Sequence, residues 1–214
     1  MKDYRIEFAK TGSLRYISHL DLNRCMIRAI RRSGLPAWYT EGFHPHLYLM
    51  FPLALSLGAE SLCECMDVRL TEEVPEDEIL TRLNAALPEG LRALRVGTPG
   101  REAVEIGSAV YEITLTGQDV RARWEAFLAQ ESIPIEKKTK KGMKTVDIRP
   151  QITQEALEET PDGLTLTLRL PAGNEGNLNA SVVTDAFTAF TEGAVQCRRI
   201  CRTKIFCLDG KVFF

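Results

Sequence analysis

Strand-like and helix-like apolar patterns follow one another along this 214-residue chain in an order that few folds can accommodate. Strict alternation of apolar residues predicts a strand, and apolar residues at every third or fourth position predict a helix. In the first hundred residues these patterns predict strand, helix, short strand, strand, helix and strand at 4–8, 18–33, 47–57, 62–70, 75–90 and 91–96. This order, β-α-β-β-α-β, is that of a ferredoxin-like unit.

The rest of the chain approximates the same order with one extra strand. Strands are predicted at 111–115, 133–136, 145–148, 164–170 and 197–208, with helices at 119–130 and 182–190. The segment between the two units contains Pro99, Gly100 and Gly107, which is typical of a linker. We therefore predict an α+β protein of two ferredoxin-like halves, residues 1–98 and 108–214. Each half would be an antiparallel sheet with its helices packed on one face.

The composition is that of an ordinary soluble globular protein, with 44% hydrophobic and 26% charged residues. No apolar run reaches the roughly 18 residues that a membrane-spanning helix needs. The N-terminus shows no secretory signal pattern. Six cysteines are spread along the chain without dense short loops, which indicates reduced thiols. We expect a cytoplasmic protein with no membrane association.

Positive charge is concentrated between residues 10 and 58, where six Lys and Arg residues face two acids, although the whole chain has a net charge of −2. In the predicted helix at 18–33 the apolar residues occupy one face and arginines the other. A charged helix face is often simply exposed to water, without a binding role. Here, however, Asp21 is the one acid in the helix that could form ion pairs with the arginines. The candidate anion-binding residues are Lys10, Arg15, Arg24, Arg28, Arg31 and Arg32.

The loop after this helix, residues 38–46, is rich in aromatic residues and histidine. Histidine can act as acid, base, ligand or phosphate contact near neutral pH, and aromatic rings beside arginines suit unstacked bases. The candidate contacts are Tyr39, Phe43, His44 and His46. We predict that His44 or His46 shares a cleft with the basic helix or with Lys10 and Arg15. The alternative is a buried aromatic turn whose histidines bond to carbonyls.

A second basic segment, residues 137–144, contains no acid and is predicted to be a hairpin tip. Such tips commonly contact a phosphate backbone, although a solubilising turn has the same composition. Its candidate phosphate contacts are Lys138, Lys140, Lys141 and Lys144.

The cysteine pattern argues against a metal or cluster held by this chain. Cys197 and Cys201 have the spacing that begins the cluster motif of radical SAM enzymes, but Lys204 stands where the third cysteine belongs. Cys63 and Cys65 share one strand face without a second pair of ligands at a known spacing. We expect no bound metal and no cofactor, and we interpret these residues as buried reduced thiols.

Several segments resemble a known family. They read K-x-G-x-L-R-Y-I-S-H-L-D, R-A-I-R-R-S-G-L-P, E-G-F-H-P-H, P-L-A-L-S-L-G-x-E-S and, later, K-K-G-x-K-x-V-D-I-R-P. Together they resemble the radical SAM-linked (radical SAM-associated) family, a domain of unknown function. In that family the domain is fused to, or encoded beside, a radical SAM protein, often near translation and RNA-processing genes. The resemblance implies a partner that carries an iron–sulfur cluster and S-adenosylmethionine.

These observations lead us to expect an accessory protein, rather than an enzyme, that binds RNA (tRNA or rRNA) and works with a radical SAM protein in RNA modification or processing. Two alternatives stay open. The paired ferredoxin-like layout also resembles the CRISPR repeat-associated RNA-processing proteins, which would imply a metal-independent ribonuclease using His19, His44 or His46. The other alternative is a protein-only adaptor whose arginines bind an acidic patch on a radical SAM partner.

Overall fold

This computed structural model describes residues 1–139 and 142–214, which contain ten strands, four α-helices and three short 3-10 helices. The strands are β1 (Lys2–Lys10), β2 (Leu49–Met50), β3 (Glu60–Leu70), β4 (Leu91–Gly97), β5 (Ile106–Gly117), β6 (Pro134–Thr139), β7 (Gly142–Asp147), β8 (Thr153–Thr160), β9 (Gly163–Pro171) and β10 (Val195–Cys207). The helices are α1 (His19–Ser33), α2 (Glu76–Ala86), α3 (Val120–Leu128) and α4 (Ala180–Phe190). None of the described helices is long and apolar enough to cross a lipid bilayer.

One mixed sheet runs through both halves of the chain in the order β4-β1-β3-β10-β5-β9-β8, and β2 pairs with β3. All neighbours are antiparallel except β3 and β10. Each half therefore has its own four strands in the order fourth, first, third, second, the order of a split β-α-β unit. The α+β class and the mostly antiparallel sheet are confirmed, while the proposed domain limits stay predictions.

Each pair of helices belongs to its own hydrophobic core. In the first half, the predicted apolar face of α1 is buried against β1, β3 and β4 through Leu22, Met26, Ala29 and Ile30. In the second half, Trp124 and Phe127 of α3 and Phe187 of α4 pack on the alternating leucines of β9. The helical and strand periodicities read from the sequence thus correspond to real buried faces.

Strand β8 was not predicted. Its sequence, TQEALEET, has no alternation of apolar residues, because almost all of its side chains are exposed at the edge of the sheet. The two strands predicted around the basic hairpin do form, as β6 and β7, but they pair only with each other in a separate two-stranded sheet. They are an insertion between α3 and β8, and β8 is the strand of the main sheet that pairs with β9.

The two halves meet where β10 runs parallel to β3, and charged side chains are buried at this junction. The Arg202 guanidinium donates to Glu64 Oε1 at 2.9 Å, to the Tyr111 hydroxyl at 3.2 Å and to the Ala54 carbonyl at 2.9 Å. Nearby, Glu60 accepts from Arg199 Nε at 2.7 Å. Buried charges need such partners, so this network ties together β3, β5, β10 and the segment before β3.

Candidate functional site

Helix α1 has well-defined ends, which fix the direction of its exposed arginines. The Asp21 backbone N–H donates to Ser18 Oγ at 3.1 Å, and the Ser18 hydroxyl donates to the Asp21 carboxylate at 2.7 Å. The hydrogen bond from the Ser18 hydroxyl to the Asp21 carboxylate is the main cause that holds the pKa of Asp21 below its ordinary value. At the other end Gly34 takes the left-handed conformation with φ of 66°, which suits glycine. With the apolar face buried, Arg24, Arg28, Arg31 and Arg32 are all exposed.

A shallow groove of about 320 Å³ lies along this face. It is lined by Asp21, Arg24, Cys25, Arg28, Arg32 and Pro88. Arg24 pairs with Asp21 at 3.3 Å across a fully exposed surface, where such pairs contribute little and exchange readily. Arg32 donates to the Ala86 carbonyl at 2.8 Å and so satisfies the C-terminal end of α2. Arg28 has no hydrogen-bond or ion-pair partner among the described residues.

Arg31 connects the helix to the loop that follows it. Its Nε donates to the Tyr39 hydroxyl at 3.1 Å, and its guanidinium lies over the Tyr39 ring at 5.6 Å from the centroid. Arg31 is exposed and lies one helical turn from Arg28 of the groove, on the same side of the helix. An aromatic ring and several guanidinium groups therefore lie on one continuous surface.

The base of the loop is held by an aromatic cluster that sequence reasoning missed. The rings of Trp38 and Tyr48 contact each other edge to face, with centroids 6.0 Å apart, and the Arg69 guanidinium packs against both, at 5.2 Å and 4.9 Å from their centroids. It also donates to both oxygens of Asp3, at 2.6 Å and 2.9 Å, which lowers the pKa of that carboxyl. No local pattern could have identified this cluster, because Arg69 and Asp3 come from segments distant from the loop.

The histidines of the loop are exposed, so the turn is not buried, although His46 Nδ1 lies 3.2 Å from the His44 carbonyl oxygen, a contact of the kind that the alternative expected. Thr40 Oγ1 lies 2.9 Å from His46 Nδ1 and accepts from the His46 backbone N–H at 3.1 Å, while the Thr40 N–H donates to the His46 carbonyl at 2.8 Å. These bonds close the loop and leave Phe43 and His44 at its exposed tip. His19 lies elsewhere, at the first position of α1, with its ring 5.1 Å from that of Phe51.

The groove along α1 is not the predicted common cleft of histidines and arginines. The groove lining contains no histidine, and the connection from the loop to α1 runs through Tyr39 and Arg31. Because the three histidines are divided between the loop and the start of α1, no observation favours the ribonuclease alternative, which stays a sequence-based prediction.

Lys10 differs from the expectation that it lies on the binding surface. Its residue is only 2% exposed, and its ammonium makes one long hydrogen bond, 3.5 Å to the Arg15 carbonyl. Burial lowers the pKa of Lys10, and the charge of Glu64 opposes this change. Arg15 is half-buried, 3.8 Å from Glu60 and 4.8 Å over the Tyr16 ring. Lys10 therefore belongs to the junction between the halves and not to the exposed surface.

In the basic hairpin, the strand register places Lys137 directly opposite Lys144, and both are exposed. Like charges opposite each other on paired strands repel, which makes this hairpin a favourable place for an anion. The side chain of Lys138, and Lys140 and Lys141 altogether, lie outside the described residues.

A known protein family matches the part of the chain that carries most of the candidate binding residues. A model of the family described as "Uncharacterized protein conserved in bacteria (DUF2344)" matches residues 3–180. The chain belongs to this family. The predicted resemblance to a domain of unknown function is thereby confirmed, whereas the radical SAM connection stays a prediction. No curated protein matches the chain.

The part of the chain matched by the DUF2344 model includes α1, the loop after it and the basic hairpin, but not β10. The arginine groove, the Tyr39 ring and the lysine pair therefore all lie within the DUF2344 match. The Arg202 side chain that links the two halves lies beyond it.

Four of the six cysteines of this DUF2344 protein, Cys63, Cys65, Cys201 and Cys207, are buried, and Cys25 and Cys197 are half-buried. Burial raises the pKa of Cys63 to about 12 and that of Cys201 to about 11, and it also raises the pKa of Cys65. Among residues 1–139 and 142–214, no three His, Cys, Asp or Glu side chains form a group that could hold a metal ion.

Proposed function

We propose that this protein is an accessory RNA-binding protein that works with a radical SAM enzyme in the modification or processing of tRNA or rRNA. The observation that carries the RNA part is the arginine face of α1, where Arg28 has no partner among the described residues and Arg24 has only an exposed one. Unpaired guanidinium groups on a rigid helix are well suited to phosphate, which they bind through two parallel hydrogen bonds.

The spacing of these arginines favours a phosphate backbone over a single isolated anion. Arg24, Arg28 and Arg32 follow one another at four-residue intervals, which is about 6 Å along a helix axis. Successive phosphates of one RNA strand have a similar separation. The three arginines could therefore contact successive phosphates of one strand at the same time, which gives strong, salt-dependent and sequence-independent binding.

Two further features support RNA binding. Tyr39 presents a half-exposed ring beside Arg31, and aromatic rings next to cations stack on unpaired bases. A bound phosphate would reduce the electrostatic repulsion between Lys137 and Lys144, which lie opposite each other on paired strands. The radical SAM part of the proposal is supported by the motif resemblance, and it assigns the cluster and S-adenosylmethionine to the partner.

The proposal predicts that Arg24→Ala, Arg28→Ala and Arg31→Ala together will weaken binding to single-stranded RNA. We expect the affinity to fall roughly tenfold or more, because each lost contact is a charged hydrogen bond. The slope of log affinity against log salt should fall by about 2, since each lost phosphate contact on a single strand changes it by about 0.7. Arg32 is kept because it bonds to the Ala86 carbonyl of α2. Fluorescence anisotropy at several salt concentrations measures both quantities.

The matched control replaces three arginines of the second half by Ala, the exposed Arg121 and Arg198 and the half-buried Arg123. It changes the net charge by the same amount and should leave the affinity and its slope near those of the parent protein. Equal losses in both triple variants would mean that only net charge matters. A parent protein with no affinity for RNA but salt-dependent binding to a radical SAM protein would support the adaptor alternative instead.

A further inference from the structure

Phe43 is completely exposed to solvent at the tip of the loop after α1. Its relative exposure is 101%, the highest of any large apolar side chain among the described residues. Gly42 precedes it with φ of 121° and open space around its Cα, and Pro45 follows two residues later. The backbone conformation at Gly42 is one that other residues rarely adopt, so the turn that presents Phe43 depends on this glycine.

The loop that carries Phe43 is held at two levels. At its base, Arg69 packs against the contacting rings of Trp38 and Tyr48 and is bonded to Asp3. Nearer the tip, Thr40 and His46 are joined by backbone and side-chain hydrogen bonds. An aromatic side chain on such a preorganised support loses little conformational entropy when it is buried by a partner.

The charges around the tip do not suit RNA. No Lys or Arg occurs in the sequence from Ser33 to Val68, and the charged residue at the tip is the exposed Glu41. A carboxylate repels phosphate, and the stacking platforms of RNA-binding proteins combine aromatic rings with cations. A convex apolar tip with one acid is instead complementary to a concave apolar pocket that has a basic group at its rim.

We propose that the loop tip, residues 42–45, inserts the Phe43 ring into an apolar pocket of a partner protein, with Glu41 pairing with a basic residue at the rim of that pocket. Phe43 is then the central anchor of a protein interface that is separate from the arginine face of α1. The chemistry of the tip does not require the partner to be a radical SAM protein. The identification of the partner as a radical SAM protein rests on the proposed function, and the interface itself does not.

Photo-crosslinking in cells followed by affinity measurement tests this inference. Benzoylphenylalanine is placed at position 43 and, as the matched control, at position 57, where Leu57 is also exposed. The crosslinked species are identified by mass spectrometry, and the protein so identified is purified. Its affinity is then measured for the parent protein and for Phe43→Ser, Leu57→Ser and Glu41→Lys.

We expect one protein to crosslink from position 43 and not from position 57. Phe43→Ser should weaken its binding roughly 30-fold or more, as for a central aromatic anchor, and Leu57→Ser by less than about 2-fold. Glu41→Lys should slow association. Because Phe43 makes no intramolecular packing, its variant should melt within about 1 °C of the parent protein.

Several results would overturn the inference: equal crosslinking from both positions, adducts with RNA or with a second copy of the chain, or unchanged affinity of Phe43→Ser. If the captured protein passes these tests but carries no cluster motif, the interface stands, and a radical SAM partner would have to bind another surface. If Phe43→Ser binds a radical SAM protein as tightly as the parent does, the proposed interface through Phe43 fails and the radical SAM part of the proposed function stands.

Discussion

Arg202→Met should lower the free energy of unfolding by about 3–5 kcal/mol, because it leaves the carboxylate of Glu64 buried without its cation. Both side chains of this pair are only 2% exposed, and their N–O distance is 2.9 Å. Methionine fills much of the same volume, so the loss comes mainly from the unpaired charge and from the bonds to Tyr111 and Ala54. Urea denaturation at neutral pH measures the change.

The control is the double variant Arg202→Met, Glu64→Leu, which removes both charges. Replacing a whole buried ion pair by apolar side chains is often neutral or stabilising, so the double variant should recover most of the loss. A single variant that costs less than about 1 kcal/mol, or a double variant no more stable than the single one, would show that the junction between β3 and β10 does not depend on this pair.

Trp124→Ala should cost about 3–5 kcal/mol, because it opens a cavity in the core of the second half. Trp124 is 1% exposed. The centroid of its ring lies 5.1 Å from that of Phe187, in an edge-to-face arrangement, and 5.5 Å from that of Phe127. Its indole N–H donates to Gln154 Oε1 at 2.7 Å, which also connects α3 to the edge strand β8.

Trp124→Phe is the matched control, since it keeps a ring in the core and removes the bond to Gln154. We expect it to cost less than about 2 kcal/mol, because the exposed Gln154 can bond to water instead. If both substitutions cost the same, the hydrogen bond rather than the ring packing would dominate at this position. Urea denaturation of the two variants under identical conditions distinguishes these cases.

Local signals made much of the first half predictable. The ends of α1 are set by Ser18, Asp21 and Gly34, and its buried face by apolar residues three and four positions apart, all within 17 consecutive residues. Its arginines were correctly expected on the opposite face for the same reason. Lys10 was misplaced, although the alternation of β1 continues two residues beyond Phe8 into the buried interior.

Features that depend on distant partners could not be predicted from the sequence. Glu64 and Arg202 are 138 positions apart, and they meet only because β10 lies beside β3. Strand β8 is defined by its pairing with β9 and not by any apolar pattern of its own. The same holds for the packing of Arg69 against the contacting rings of Trp38 and Tyr48, which holds the base of the loop that carries Phe43.

The measurement that tests the central claim most directly is ultraviolet crosslinking of RNA to the protein in cells, followed by mass spectrometry of the nucleotide-bearing peptides. The proposed RNA-binding role predicts adducts on Tyr39 and on peptides of α1, with tRNA or rRNA as the recovered RNA. It also predicts that these adducts decrease strongly in the Arg24, Arg28 and Arg31 triple variant. Recovery of no more RNA from the parent protein than from that variant would contradict the claim that the arginine face of α1 binds RNA.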